Sequence, residues 1–133
     1  MNNDCAKASL KSIKVSPRKL SLVTNLIKNT KVSYALTQLS FCQKRISYDV
    51  KKCLQSAVAN AEHNLGMDID NLYILSIEVG KALFAKRVMP RARGRSARVE
   101  KKYSRLGITI CDYSHFSTIR KSSLVKANKD NRL

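Results

Sequence analysis

The residues of this sequence with chemistry to offer are mostly cations, and the densest group lies between Gly80 and Arg105. That stretch holds Lys81, Lys86, Arg87, Arg91, Arg93, Arg95, Arg98, Lys101, Lys102 and Arg105 against one acid, Glu100. Such side chains bind anions. Arginine predominates near the middle, where its planar fork suits two-point capture of phosphate oxygens, or stacking on a base, better than the point charge of lysine. Pro90 and Gly94 bracket a sharp reversal, which makes Met89 to Arg95 the tip of a hairpin. Leu83, Phe84, Val88 and Met89 are too few to give this segment a core. Two arms of about 10 to 13 residues, at about 3.3 Å per residue, could hold the tip about 30 to 40 Å from the rest of the protein. An arm of this kind cannot satisfy its backbone or charge on a small domain, so it is either mobile alone or ordered by something outside it.

Smaller basic groups mark two helix entrances. Lys14, Arg18 and Lys19 stand at the first, and Lys44 and Arg45 at the third. A cation at a helix N-terminus opposes the helix dipole, which favours an external anion there. Lys51 and Lys52 read as a solvated helix face.

Catalytic arrangements are missing. His63 follows Glu62, but neighbours on a helix diverge, and no second acid, nucleophile or metal-ligand cluster lies at a useful spacing. His63 and Asn60 are expected to hydrogen-bond the nearby backbone or the helix end instead. There is no P-loop, no GxGxxG and no nucleophile elbow. Cys5, Cys42, Cys53 and Cys111 are widely spaced and never form a CxxC pair. They read as free thiols in or near a core, with no metal and no cofactor expected. The apolar runs are short and broken by lysine, so no membrane span is expected; with no catalytic arrangement, no small-molecule substrate is expected either. The N-terminus lacks the apolar segment of a secretory signal and does not resemble a transit peptide, which points to a cytoplasmic protein.

Charge over the whole chain agrees with the arm. With 26 Lys and Arg against 9 Asp and Glu, the formal net charge is +17 over 133 residues. Self-repulsion on that scale calls for a polyanionic partner, and nucleic acid is the commonest one for a basic domain. A hydrophobic fraction of 44% allows one core, aliphatic because aromatic residues make up only 6%.

The pattern around the arm reads as a strand, three helices and the hairpin, an α+β domain. Ala6 to Val15 suits a strand with a one-residue slip in its alternation. Ser16-Pro17 opens a helix, the serine side chain accepting a first-turn N–H and the proline taking the first helical position. Leu20, Val23 and Ile27, with Leu26 beside them, form its apolar stripe, and Asn29 ends it. A short helix follows from about Ser33 to Leu39, with Ala35, Leu36 and Leu39 inward. The longest helix spans about Lys44 to Asn64 on a stripe of Ile46, Val50, Cys53, Leu54, Ala57, Val58 and Ala61, and stops at Gly66. Ala57 and Ala61 are small enough for another element to approach closely. From Leu72 the period changes to 2: Tyr73, Leu75, Ile77 and Val79 alternate with Ile74, Ser76 and Glu78. A matching strand returns at Leu106, Ile108 and Ile110. Residues 1–113 are read as one domain containing the hairpin 80–105, and 114–133 as a basic, flexible tail.

Two other functional classes share the charge. A free-standing nucleic-acid-binding regulator should carry stacking aromatics, but the arm has only Phe84 and Tyr103. A basic protein-interaction module should place its charge on a folded face and not on an arm.

Four stretches resemble the bacterial large-subunit ribosomal protein L-twenty-two family, in its order and spacing. They are Val15-Ser16-Pro17-Arg18-Lys19-Leu20 with Leu26-Ile27; Ser56-Ala57-Val58-Ala59-Asn60-Ala61-Glu62-His63-Asn64; Asp68-Ile69-Asp70-Asn71-Leu72; and Lys86-Arg87-Val88-Met89-Pro90-Arg91-Ala92-Arg93-Gly94-Arg95. The second and fourth are each specific, and the likeness covers about residues 7 to 112. It implies a compact body of three helices packed on a small antiparallel sheet, with the long basic hairpin protruding from it. It implies a structural, non-enzymatic role in the large ribosomal subunit, binding its rRNA, aiding assembly and touching neighbouring large-subunit proteins. The hairpin tip, Met89, Pro90, Arg91, Ala92, Arg93 and Gly94, would line the nascent-peptide exit tunnel, opposite the loop of ribosomal protein L-four and close to the macrolide-binding region. There it would meet the nascent polypeptide. Lys86, Arg87, Arg91, Arg93 and Arg95 match the hairpin motif, and Arg18 and Lys19 the first-helix motif, as rRNA contacts. Lys14, Lys81, Arg98, Lys101 and Lys102 join them on charge and position. The chain departs from the family pattern at Ala82-Leu83, at Leu106-Gly107-Ile108, and in a longer tail.

Overall fold

The computed structural model describes residues 5–114 and 116–118. Strand β1 (Cys5–Ile13) is followed by helices α1 (Pro17–Ile27), α2 (Val32–Phe41) and α3 (Ile46–Leu65), then by strands β2 (Leu72–Pro90) and β3 (Ser96–Asp112). The sheet is antiparallel in the order β1-β3-β2, so the last strand is central and hydrogen-bonds on both sides. The fold is α+β, as the sequence implied.

The core lies between helices and sheet. Leu20, Val23 and Ile27 of α1, Ala35 and Leu39 of α2, and Val50, Leu54 and Ala57 of α3 are buried with Leu106, Ile108 and Ile110 of β3. Leu26 is left outside the stripe and is exposed. Helix α3 packs chiefly on β1. The small side chains of Ala57 and Ala61, both buried, allow that approach. Asn60 secures it, its Nδ2 donating to the Lys7 carbonyl at 3.0 Å.

The helix ends follow the local chemistry, with one exception. Gly66 takes a left-handed conformation (φ 60), and its N–H donates to Glu62 O. Met67 N–H reaches back to Ala61 O, and these bonds satisfy the last carbonyls of α3. Asn29 (φ 59) turns the chain after α1. Pro17 opens α1 as read, but the Ser16 side chain makes no capping bond. The Ser16 carbonyl instead accepts the N–H groups of Lys19 and Leu20. Lys51 is less solvated than its neighbour Lys52, because its Nζ donates to Ser40 Oγ at 2.9 Å and ties α3 to α2.

Strand β2 corrects the sequence reading of its faces. Ile74, grouped with Ser76 and Glu78 in the alternation, is fully buried beside Leu72. Its partner is Ile110, yet the next pair is Ser76 with Thr109. Leu75 is thus an extra residue that reverses the alternation, so Ile77 and Val79 also reach the core. Period-2 reasoning cannot see a bulge of this kind. The slip expected in β1 is present, between Leu10 and Ile13.

The tail read as 114–133 falls mostly outside the described residues. Its described part is helical, with Phe116 only 6% exposed and stacked on Tyr73 at 5.3 Å between ring centroids.

Candidate nucleic-acid interface

The arm begins where β1 runs out. Ile13 opposite Ser104 is the last β1–β3 pair, and from there outward only β2 and β3 remain, paired from Lys81 with Ser104 to Pro90 with Ser96. At the usual rise the outgoing strand from Lys81 to Pro90 covers about 30 Å. An isolated two-stranded ribbon is marginal in water. At the tip Arg91 N–H donates to Arg95 O at 2.7 Å, while Arg93 (φ 57) and Gly94 (φ 69) take left-handed conformations. The reversal is therefore Arg91 to Arg95, with Pro90 still in the ladder.

Pairing register distributes the cations around the ribbon. Phe84, Lys86 and Val88 face Lys102, Glu100 and Arg98 across one side, and Ala85, Arg87 and Met89 face Lys101, Val99 and Ala97 across the other. Lys86, Arg98 and Lys102 thus occupy one face, Arg87 and Lys101 the opposite face, and Arg91, Arg93 and Arg95 the tip. All eight are exposed. Among the described residues the only ion pair is Lys102 Nζ to Glu100 Oε2, at 3.8 Å. The rest of the arm's charge has no carboxylate to meet, so its repulsion is relieved by a polyanion outside the chain.

The body cations divide into two places. Arg18 comes close to Lys81 and Lys102 at the root of the arm, where they border one cleft. Lys14 lies elsewhere, in a groove between β1 and α3 with Arg45 and Lys52, partly offset by Asp49. Lys19 borders neither cavity and is exposed. Helix α1 carries no acid in its first turn to balance Arg18 and Lys19. Arg105 crosses Gly80, where a methyl group would collide with its side chain.

Sequence reasoning missed one residue at this root. Ser104 is 0% exposed, and its Oγ donates to the Val15 carbonyl at 2.6 Å, which fixes the start of α1 against the arm. The signal was available: Ser104 stands in the same alternation as Leu106, Ile108 and Ile110, where a polar residue must find a partner.

Catalytic chemistry finds no support in the titratable groups. Burial raises the Cys53 thiol. Desolvation first, then Cys5 and Asp112, push the Cys111 thiol up to about 12. Both stay protonated at neutral pH and are poor nucleophiles or metal ligands. Among the described residues no three His, Cys, Asp or Glu side chains gather in a metal-binding group, and no helix is long and apolar enough to cross a membrane.

These features define a class: a small, basic α+β protein with one cationic ribbon that its own core does not support. Comparison with known proteins makes the class specific. Residues 8–110 match the family described as Ribosomal protein L22p/L17e. The chain is 61% identical over 111 residues to the large ribosomal subunit protein uL22 of Rickettsia bellii, covering 84% of this chain and 93% of that protein. It is 58% identical over 107 residues to the protein of the same name from Orientia tsutsugamushi, covering 80% and 92%. The chain belongs to this ribosomal protein family, whose members are structural proteins and not enzymes.

Proposed function

We propose that this protein, as a structural constituent of the large ribosomal subunit in the cytoplasm, binds the rRNA of that subunit through its arm and aids its assembly. Residues 1–113, arm included, act as one domain in this reading, with 114–133 as a basic tail. Lys81, Lys86, Arg87, Arg91, Arg93, Arg95, Arg98, Lys101 and Lys102 contact RNA along the ribbon, and Lys14, Arg18 and Lys19 do so from the body. The tip, Met89 to Gly94, lines the exit tunnel beside the nascent polypeptide, and neighbouring large-subunit proteins complete the surroundings.

The observation that carries this reading is the distribution of charge. Cations occupy both faces and the tip of a ribbon that has two strands and no core. A partner on one side would leave half of them unpaired, whereas RNA folded around the ribbon meets them all. Family membership supports the site of action.

A tagged chain followed through a sucrose gradient at high salt tests the first part. Stable co-migration with large subunits is expected, and release into the soluble fraction would argue for a free-standing RNA-binding regulator. A photo-cross-linking side chain at Ala92 tests the second. It should capture stalled nascent chains, and capture of rRNA alone would remove the tunnel role while leaving RNA binding intact.

A further inference from the structure

A second kind of site lies at the root of the arm. Between Lys81–Ser104 and Phe84–Lys102 the register of the ribbon slips, so that β2 carries one residue more than β3. Bulges re-aim side chains, and this one leaves Leu83 65% and Phe84 52% exposed. Beside it is a cleft of about 290 Å³, walled mainly by Pro17, Ala82, Leu83, Phe84 and Tyr103. That is the small end of the range for ligand clefts. Phe84 and Tyr103 are far apart in the chain and too few to suggest stacking; antiparallel pairing brings them to one cavity. Three cations, Arg18, Lys81 and Lys102, rim it, with Glu100 as the single acid. Lys86 does not line the cleft, but its Nζ lies over the Phe84 ring, 5.7 Å from its centre. The far wall does not depend on a bound partner, because Ser104 Oγ holds the Val15 carbonyl just before Ser16 and Pro17.

A surface that only neutralises phosphates needs no apolar floor. A surface that only covers an apolar partner has no use for three cations at its rim. The combination fits one nucleotide: a flat apolar base with anions on either side. Resting on the RNA-binding reading above, we propose that the cleft receives an unpaired RNA base, stacked on Phe84 and Tyr103, with its flanking phosphates on Arg18, Lys81 and Lys102. The base must be unpaired, because in a duplex its faces are already covered by neighbouring bases. The cleft then distinguishes single-stranded from double-stranded RNA, while the outer arm follows charge alone.

The test uses the full-length chain with an oligouridylate carrying one 4-thiouridine, and with the same strand in a duplex. Irradiation should attach the thiobase to the peptide holding Phe84 or to that holding Tyr103. Phe84→Ala should weaken binding of the single strand by roughly tenfold, as loss of one stacked base does, and leave duplex binding unchanged. Phe84→Tyr should restore it. Phe84 is outside the core, so both variants fold. Adducts confined to other peptides, or equal weakening of both RNAs by Phe84→Ala, would overturn the base site while leaving RNA binding by the arm in place. If neither RNA binds at low salt, the RNA-binding reading falls and the cleft falls with it.

Discussion

At the root of the arm the fully buried Ser104 hydroxyl donates to the carbonyl of half-buried Val15. Removing the hydroxyl leaves a partly buried acceptor without its protein partner, which typically costs about 1 kcal/mol. Ser104→Ala should lower the urea midpoint of the body by a corresponding amount with no change in slope. A second residue-scale effect concerns pH. The Cys111 thiol is raised from 9.0 to about 12 in the folded protein. Between those values an unfolded chain loses the proton and the folded one keeps it, so rising pH favours unfolding. The contribution is intact below 9.0 and lost progressively above it. Thermal melts of Cys111→Ala should decline less steeply across that window than those of the parent; parallel curves would show that Cys111 has no part in it.

The elements differ in what holds them. Helix α3 and the inner part of β3 are fixed by buried aliphatic side chains, whereas the ribbon beyond Ser104 has only its own ladder and a mutual excess of positive charge. Charge should therefore control affinity there without affecting the fold. On the proposed RNA-binding reading, replacing Arg91, Arg93 and Arg95 together by Gln would remove three phosphate contacts. The slope of log affinity against log salt should become shallower by about 2 to 3, since each contact contributes about 0.7 to 0.9. Circular dichroism should show the same melting of the body. A loss of helix signal would mean that the arm supports the core after all.

For the molecule as a whole, the division between body and arm predicts independent behaviour in isolation. A variant in which a short turn replaces Phe84–Lys102 should keep the unfolding midpoint of the parent within a few degrees. The same variant loses eight of the chain's 26 cations, including all three at the tip, and should fail to remain with large subunits through a high-salt wash. Retention of the shortened chain would assign the anchoring to Lys14, Arg18 and Lys19 and their surroundings.

Much of this was readable from the sequence because it follows from local rules. Apolar residues at a spacing of 3.6 had to become helices with Leu20, Val23 and Ile27, or Val50, Leu54 and Ala57, turned inward. Ten cations between Gly80 and Arg105, with Gly94 at the turn, pointed to an arm that no core could absorb, although Pro90 proved to belong to the ladder. What depended on chains meeting in space was not readable. The extra residue at Leu75 reversed the faces of β2 because its register is set by β3, some thirty residues further along. Ser104 found Val15, Arg18 reached Lys81 and Lys102, and Phe84 came to share a cleft with Tyr103 only once β3 had taken the centre of the sheet. Periodicity determines which side of an element is apolar, but the identity of the element it faces is a property of the packed whole.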